Sequence, residues 1–175
     1  MQLNRVAGVV LAGLTLAMPL VAADLKPVGS TAPNFTLPNQ ENKPVSLADF
    51  KGKWVVLYFY PKDQTAGCSK EAHNFQEDLP KYEKLNAVVL GVSLDTVESH
   101  KQWCTKDGFS FKMLADPEHK VVDAYGVPVR TMGSNSYAMR DTFLISPEGK
   151  IVKTWEVKDI PNHSAEVLAA IQAAK

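Results

Sequence analysis

The chain has 175 residues, of which 45% are apolar and 22% are charged, as expected for one globular domain with a hydrophobic core. Its 19 basic residues balance its 19 acidic residues. The sequence therefore lacks the excess of positive charge that nucleic-acid binding requires, and we expect no nucleic-acid partner.

The N-terminal segment differs in composition from the rest of the chain. A long uncharged run rich in Ala, Val and Leu follows Arg5, and Val21-Ala22-Ala23 places small residues where a signal peptidase cuts. We interpret residues 1–23 as a signal peptide and residues 24–175 as one exported domain, periplasmic and free of the membrane after cleavage. An uncleaved membrane anchor is the alternative, which the helix-breaking Pro19 disfavours.

Strands and helices alternate along the exported part of the sequence. Two short runs, 34–37 and 45–47, predict an N-terminal hairpin, and Pro80 is expected to kink or end the first helix. The other predicted elements are strand 54–60, a helix from residue 68, strand 87–93, helix 96–106, strand 113–115, helix 116–124, a hairpin of strands 141–145 and 150–155, and helix 164–174. This order predicts an α/β protein with a central mixed sheet and helices on both faces, similar to the thioredoxin-like fold.

The position of Cys68 favours a reactive thiol. It follows a strand whose residues are all apolar or aromatic, and it lies at the predicted start of a helix. Unpaired backbone N–H groups and the helix dipole favour the thiolate there, which is the nucleophilic form of cysteine. The second cysteine is Cys104. In an exported protein, two cysteines are either a structural disulfide or a redox-active pair, and their number alone leaves both open.

The sequence around Cys68 resembles the active-site pattern of peroxiredoxins, Pro-x-x-x-Thr-x-x-Cys, which Pro61, Thr65 and Cys68 match. The longer run 58–71 is similar to one subfamily, the bacterioferritin comigratory proteins, also called peroxiredoxin Q. The similarity continues in four later segments: 89–93, 99–101, 114–117 and 142–151. Two residues depart from the pattern: Ala66 stands where proline is usual and Ser69 where threonine is common.

The resemblance implies a peroxidase that acts on hydrogen peroxide and organic hydroperoxides. Cys68 matches the cysteine that attacks the peroxide, and Thr65 the hydroxyl that contacts the thiolate and the bound oxygen. Pro61 matches the proline that shields the thiolate from water. Arg140 matches the arginine whose guanidinium lies over the cysteine, and Glu71 matches a carboxylate that braces that arginine.

Three of these residues have simpler interpretations from the sequence alone. Thr65 is also suited to be a helix cap, and Arg140 to be a solvated charge, with Arg130 as the competing arginine. Glu71 is also favourable in a first helical turn because of the helix dipole.

The resemblance also implies how the oxidised cysteine is recovered. In the best-known form of the subfamily a second cysteine lies five residues after the first, where this chain has His73. A second form places it in the second helix, where Cys104 lies. The resemblance thus implies an intramolecular Cys68–Cys104 disulfide, re-reduced by a thioredoxin-like dithiol donor, in a monomer. The alternative is that Cys104 is only a small core residue, in which case an external thiol would resolve the oxidised Cys68.

Other classes of function have weaker support in the sequence. The four histidines are scattered without metal-ligand spacing, and no phosphate-binding or dinucleotide motif is present, so we expect neither a metal nor another cofactor. A thioredoxin-like disulfide reductase or cytochrome-maturation protein would normally carry Cys-x-x-Cys, which Ser69-Lys70-Glu71 does not supply. A binding module with one structural disulfide is the non-enzymatic alternative.

Overall fold

The computed structural model describes residues 24–174. Over these residues the α-helices are α1 (Ala66–Lys84), α2 (Val97–Asp107), α3 (Lys120–Tyr125) and α4 (His163–Ala173), and a short 3₁₀ helix spans Leu47–Phe50. The strands are β1 (Thr36–Pro38), β2 (Pro44–Ser46), β3 (Trp54–Phe59), β4 (Ala87–Ser93), β5 (Lys112–Ala115), β6 (Val129–Met132), β7 (Asn135–Ala138), β8 (Asp141–Ile145) and β9 (Ile151–Glu156).

Five of the strands form a central mixed sheet in the order β5-β4-β3-β8-β9. β3 and β5 run parallel to β4, whereas β8 runs antiparallel to both β3 and β9. All six residues of the central strand β3 are buried. A strand that is apolar at every position is stable only where both faces of the sheet are covered. The thioredoxin-like fold predicted from the sequence is confirmed.

Two separate cores cover the two faces of this sheet. Val56 and Tyr58 of β3 belong to the core that contains α1, α2 and α4. The alternate residues Leu57 and Phe59 belong to the core that contains α3 and the β1–β2 hairpin. The period of two along β3 thus places both cysteine-bearing helices on the same face of the sheet.

The sequence predicted that Pro80 kinks or ends the helix that carries Cys68. α1 continues through Pro80, so of these two alternatives the end is wrong. Phe75 and Tyr82 lie on either side of Pro80 along the helix and are both fully buried in the same core. The Tyr82 hydroxyl also donates to the carbonyl of Ser164 at 2.8 Å. Tertiary packing on both sides of the proline outweighs the one helical hydrogen bond that it removes, and Pro80 itself is exposed.

Two further elements differ from the sequence-based expectation. The β6–β7 hairpin was not predicted, because most of its residues are exposed and lack a strict alternation of apolar and polar side chains. α3 starts at Lys120, later than predicted. The Asp116 carboxylate accepts hydrogen bonds of 2.8–2.9 Å from the backbone N–H groups of Lys120, Val121 and Val122, so Asp116 lies before the helix.

The predicted signal peptide, residues 1–23, lies outside the described residues. Within residues 24–174, no helix combines the length and the apolar character that crossing a membrane requires.

Candidate active site

Two chain segments meet at the carboxyl end of β3. The chain leaves β3 at Phe59, turns over residues 60–65, and enters α1 with Cys68 as its third residue. β8 is antiparallel to β3 and pairs Thr142 with Tyr58, so the beginning of β8 lies beside the end of β3. Arg140, immediately before β8, is thereby placed at the start of α1. The carboxyl ends of strands in such sheets are where reactive groups collect.

The side chains of Cys68, Glu71 and Arg140 form one connected group. Arg140 Nη2 donates to Cys68 Sγ at 3.1 Å, and Arg140 Nη1 donates to Glu71 Oε2. Cys68 and Glu71 are each 1% exposed, and the Arg140 side chain is 13% exposed. The competing arginine, Arg130, lies exposed in β6. The guanidinium over Cys68 is therefore that of Arg140.

The charges in this group are set by burial and by their proximity. Burial raises the pKa of Glu71 to about 7 even though Arg140 opposes the shift. Burial by itself would lower the pKa of Arg140, but Glu71 and the Cys68 sulfur together raise it, so the guanidinium stays charged. Glu71 is the sixth residue of α1, beyond the first turn. Its carboxylate is therefore held by Arg140 and not by the helix dipole.

The guanidinium of Arg140 lies beside Gly67 at the start of α1. A Cβ atom on Gly67 would be 3.5 Å from Arg140 Nη2 and 3.4 Å from the end of the Ile160 side chain. Both distances are ordinary van der Waals contacts, so position 67 lies next to Arg140 but does not have to be glycine.

Thr65 and Pro61 lie in the loop between β3 and α1. Thr65 is the residue that precedes α1, but its hydroxyl does not cap the helix. It is exposed and donates instead to the carbonyl oxygen of Lys62 at 3.0 Å. Pro61 is half-buried at the end of β3. Neither residue belongs to the hydrogen-bonded group of Cys68, Glu71 and Arg140.

Cys104 is the eighth residue of α2 and is a free thiol, as is Cys68. It is 7% exposed and belongs to the same core as Cys68. Burial first, then the nearby carboxylates of Asp63 and Asp107, raise the pKa of Cys104 to about 12. In this conformation Cys104 is a neutral thiol.

A buried carboxylate that the sequence did not single out lies in the loop before Cys68. Asp63 is 5% exposed and accepts hydrogen bonds from the Tyr60 hydroxyl at 2.8 Å and the Ser99 hydroxyl at 2.7 Å. His100 Nδ1 lies 2.8 Å from the same carboxylate. Spacing in the sequence could not reveal this contact, because 37 residues separate Asp63 from His100.

His163 is a second histidine whose position was not predicted. Its Nε2 atom lies 2.8 Å from the hydroxyl of Thr142 in β8. Burial, together with the charge of Arg140, lowers the pKa of His163 to about 4. His163 is therefore neutral near pH 7, and Arg140 is the cation on this side of Cys68.

The described residues contain no group of three or more His, Cys, Asp or Glu side chains placed to hold a metal ion. The reactive groups in this region are the thiol, the guanidinium and the carboxylate. A thiol at a helix start that accepts a hydrogen bond from a charged arginine is equipped for nucleophilic attack.

On a thioredoxin-like sheet, this arrangement is the one expected for the class of thiol-dependent peroxidases that the sequence resembles. A model of the AhpC/TSA family matches residues 28–154. Peroxiredoxin Bcp of Bacillus subtilis is 38% identical over 148 residues, which cover 83% of this chain and 94% of that protein. The chain belongs to the AhpC/TSA family, as a peroxiredoxin of the Bcp and peroxiredoxin Q group.

Solved structures of the same group are similar in both sequence and fold. A cysteine-to-serine mutant of Xylella fastidiosa PrxQ matches with a TM-score of 0.78 and 39% identity, over 85% of this chain and 96% of that one. The Xanthomonas campestris bacterioferritin comigratory protein, which has alkyl peroxide reduction activity, matches with a TM-score of 0.74 and 36% identity. That match covers 80% of this chain and 91% of the other.

Proposed function

We propose that the protein reduces hydrogen peroxide and organic hydroperoxides through a sulfenic acid on Cys68. The observation that carries this proposal is the 3.1 Å hydrogen bond from Arg140 Nη2 to Cys68 Sγ. The Cys68 thiolate attacks one peroxide oxygen and the O–O bond breaks. The sulfur keeps that oxygen as S–OH, and the other oxygen leaves with the bonding electrons and takes up a proton to become water or an alcohol.

Arg140 supports this step because negative charge moves from sulfur to the departing oxygen. A guanidinium already fixed beside the sulfur stabilises that charge where it develops and needs no rearrangement. Glu71 fixes Arg140 from the other side. We assign to the Thr65 hydroxyl a contact with the bound peroxide, and to Pro61 the exclusion of water from the thiolate.

We assign the second half of the cycle to Cys104. Its thiol attacks the sulfur of the Cys68 sulfenic acid, the S–O bond breaks, and a disulfide and one water molecule result. A thioredoxin-like dithiol donor then reduces the disulfide. Cys68 and Cys104 lie on separate helices packed against the sheet, and a disulfide needs Cα atoms within about 7 Å. We therefore propose that the start of α1, together with α2, unwinds locally during this step.

The location and assembly of the protein are also part of the proposal. The composition of residues 1–23 supports export and removal of this segment, which would place the protein in the periplasm. There it would act as a monomer in defence against peroxides.

Thiol counting after a single addition of peroxide tests the proposed cycle. Reduced protein is mixed with one equivalent of hydrogen peroxide or of an alkyl hydroperoxide, and free thiols and the disulfide are measured by mass spectrometry. We expect rapid loss of both thiols, no rapid loss in Cys68→Ser, and a sulfenic acid without a disulfide in Cys104→Ser. Slow oxidation that is the same in Cys68→Ser would instead indicate a structural disulfide.

A further inference from the structure

Asp63 joins the loop before Cys68 to the helix that carries Cys104. Its carboxylate bonds to Tyr60 at the end of β3, and to Ser99 and His100 in α2. Its backbone N–H donates to the Asp95 carboxylate at 2.9 Å, which also accepts from the Ser93 hydroxyl at 2.8 Å. We call the contacts of the Asp63 carboxylate with Tyr60, Ser99 and His100 the Asp63 junction.

The junction lies one helical turn from Cys104. His100 precedes Cys104 by four residues, so the two side chains lie on the same side of α2. Both residues are buried. If α2 unwinds over the turn that contains both residues, His100 is displaced with Cys104 and its contact with Asp63 is lost.

One ring nitrogen of His100, Nδ1, has a hydrogen-bond partner in the junction, whereas the other, Nε2, has none within residues 24–174. Because Nδ1 faces a carboxylate, it carries a proton, and in the neutral ring Nε2 is then an acceptor. His100 is fully buried, and Nε2 has no hydrogen-bond partner among the described residues. A buried polar atom without a partner favours a conformation in which α2 is partly unfolded, because water can then reach the atom. The bonds of Asp63 oppose this tendency and keep α2 folded.

Asp63 also acts on Cys104 through its charge. Its carboxylate is, after burial, the largest influence that keeps the Cys104 thiol protonated. Opening of the junction separates the two groups and exposes Cys104, and both changes favour the thiolate that attacks a sulfenic acid.

We propose that Asp63 is a positioning residue that holds α2 folded during peroxide reduction and sets the rate at which Cys104 reaches Cys68. This inference rests on the proposed role of Cys104. The Cys68 sulfenic acid has two fates: Cys104 converts it to a disulfide and water, or a second hydroperoxide converts it to a sulfinic acid and an alcohol or water. Strong hydrogen bonds in the junction slow the arrival of Cys104 and favour the sulfinic acid. Weak hydrogen bonds speed its arrival and favour the disulfide.

The substitution Asp63→Asn removes the negative charge but keeps the size of the side chain. Wild type and variant are treated with graded pulses of hydrogen peroxide, and the ratio of disulfide to sulfinic acid is measured by mass spectrometry. We expect this ratio to rise about tenfold, as loss of about one charge-assisted hydrogen bond predicts. Hydrogen exchange in α2 of the reduced protein should accelerate by a similar factor.

A matched pair at His100 separates the hydrogen bond from packing. His100→Asn retains an N–H group close to the position of Nδ1. His100→Leu introduces a side chain of nearly the same shape as asparagine but without a donor. We expect the ratio of disulfide to sulfinic acid to rise in His100→Leu as it does in Asp63→Asn. In His100→Asn the ratio should remain close to that of the wild type. Glu77→Gln, which removes one exposed carboxylate from α1, is the charge control and should leave the ratio unchanged.

Wild-type protein that loses the Cys68 thiol but no Cys104 thiol would contradict the proposed role of Cys104, on which this inference rests. Normal disulfide formation in the wild type with an unchanged ratio in Asp63→Asn would overturn only the role of Asp63. If Asp63→Asn does not fold, Ser99→Ala decides the matter, because it removes a single hydrogen bond of the junction. An unchanged ratio there, together with equal behaviour of the two His100 variants, also overturns the role.

Discussion

At the scale of single residues, Arg140 serves two partners at once. One nitrogen of its guanidinium donates to Cys68 Sγ and the other donates to Glu71 Oε2. A planar guanidinium can satisfy both directions without changing its orientation, whereas an ammonium group carries its charge at one point. The position of the charge beside the sulfur therefore depends on the fork shape of arginine as well as on its charge.

Arg140→Lys should consequently slow the reaction of Cys68 with peroxide although it conserves the charge. We expect the second-order rate constant to fall by about 10²–10³, comparable to removal of one oxyanion-hole donor. Stopped-flow mixing of reduced protein with hydrogen peroxide measures this constant. Arg130→Lys, in the exposed β6 strand, is the matched control and should react at the wild-type rate. Equal rates in both variants would mean that the guanidinium has no part in the step.

The residues of the site were predictable to different degrees. Cys68 could be found from a local signal, a buried strand followed by a turn and a helix start. Arg140 and Glu71 came from the family resemblance, because nothing local brings two residues 69 positions apart together. Asp63 and His100 were not predicted, since a carboxylate in a loop and a histidine in a helix each look solvated until the fold buries both.

At the scale of secondary structure, tertiary packing explains where predictions from local sequence patterns differ from the structure. The strand 54–60 was evident from its unbroken apolar run, and β3 is buried at every position. The β6–β7 hairpin gave no such signal, because strands that lie mostly in solvent need no apolar face. Pro80 gave a misleading signal, since the intrinsic cost of proline in a helix was offset by buried contacts on either side of it.

Pro80→Ala should therefore stabilise the protein without changing its chemistry. Alanine restores a backbone N–H inside α1 and removes the steric conflict of the proline ring, and the free energy of unfolding should rise by about 1–3 kcal/mol. Urea unfolding of the reduced protein measures the change, with Glu83→Ala as the control on the same exposed part of α1. A loss of stability would show that the helix is shaped around the proline. The peroxide reaction should be unaltered, because Cys68 lies at the other end of α1.

At the scale of the whole molecule, the site joins a helix on one face of the sheet to the sheet itself. Cys68 and Glu71 come from a helix on one face, whereas Arg140 comes from the chain that enters β8 within the sheet. This arrangement buries a carboxylate whose second oxygen, Oε1, has no hydrogen-bond partner among the described residues. A charge buried with incomplete compensation lowers the stability of the fold, and here the cost depends on pH.

Glu71→Gln should reveal this cost as a pH-dependent difference in stability. Burial raises the pKa of Glu71 from 4.5 to about 7. Between these values the folded protein keeps a proton that the unfolded chain has released, so stability falls as pH rises and then stays constant above pH 7. At 1.36 kcal/mol per pH unit, the wild type should lose about 3 kcal/mol relative to Glu71→Gln between pH 4.5 and 7.5.

Urea unfolding of both reduced proteins across this range measures the difference directly. Other titrating groups, such as His163 and Asp141, are present in both proteins and largely cancel. A difference that stays constant with pH would mean that Glu71 is ionised throughout. In that case the contact with Arg140 would compensate its burial fully, and the carboxylate would brace the guanidinium with a full negative charge even at pH 5.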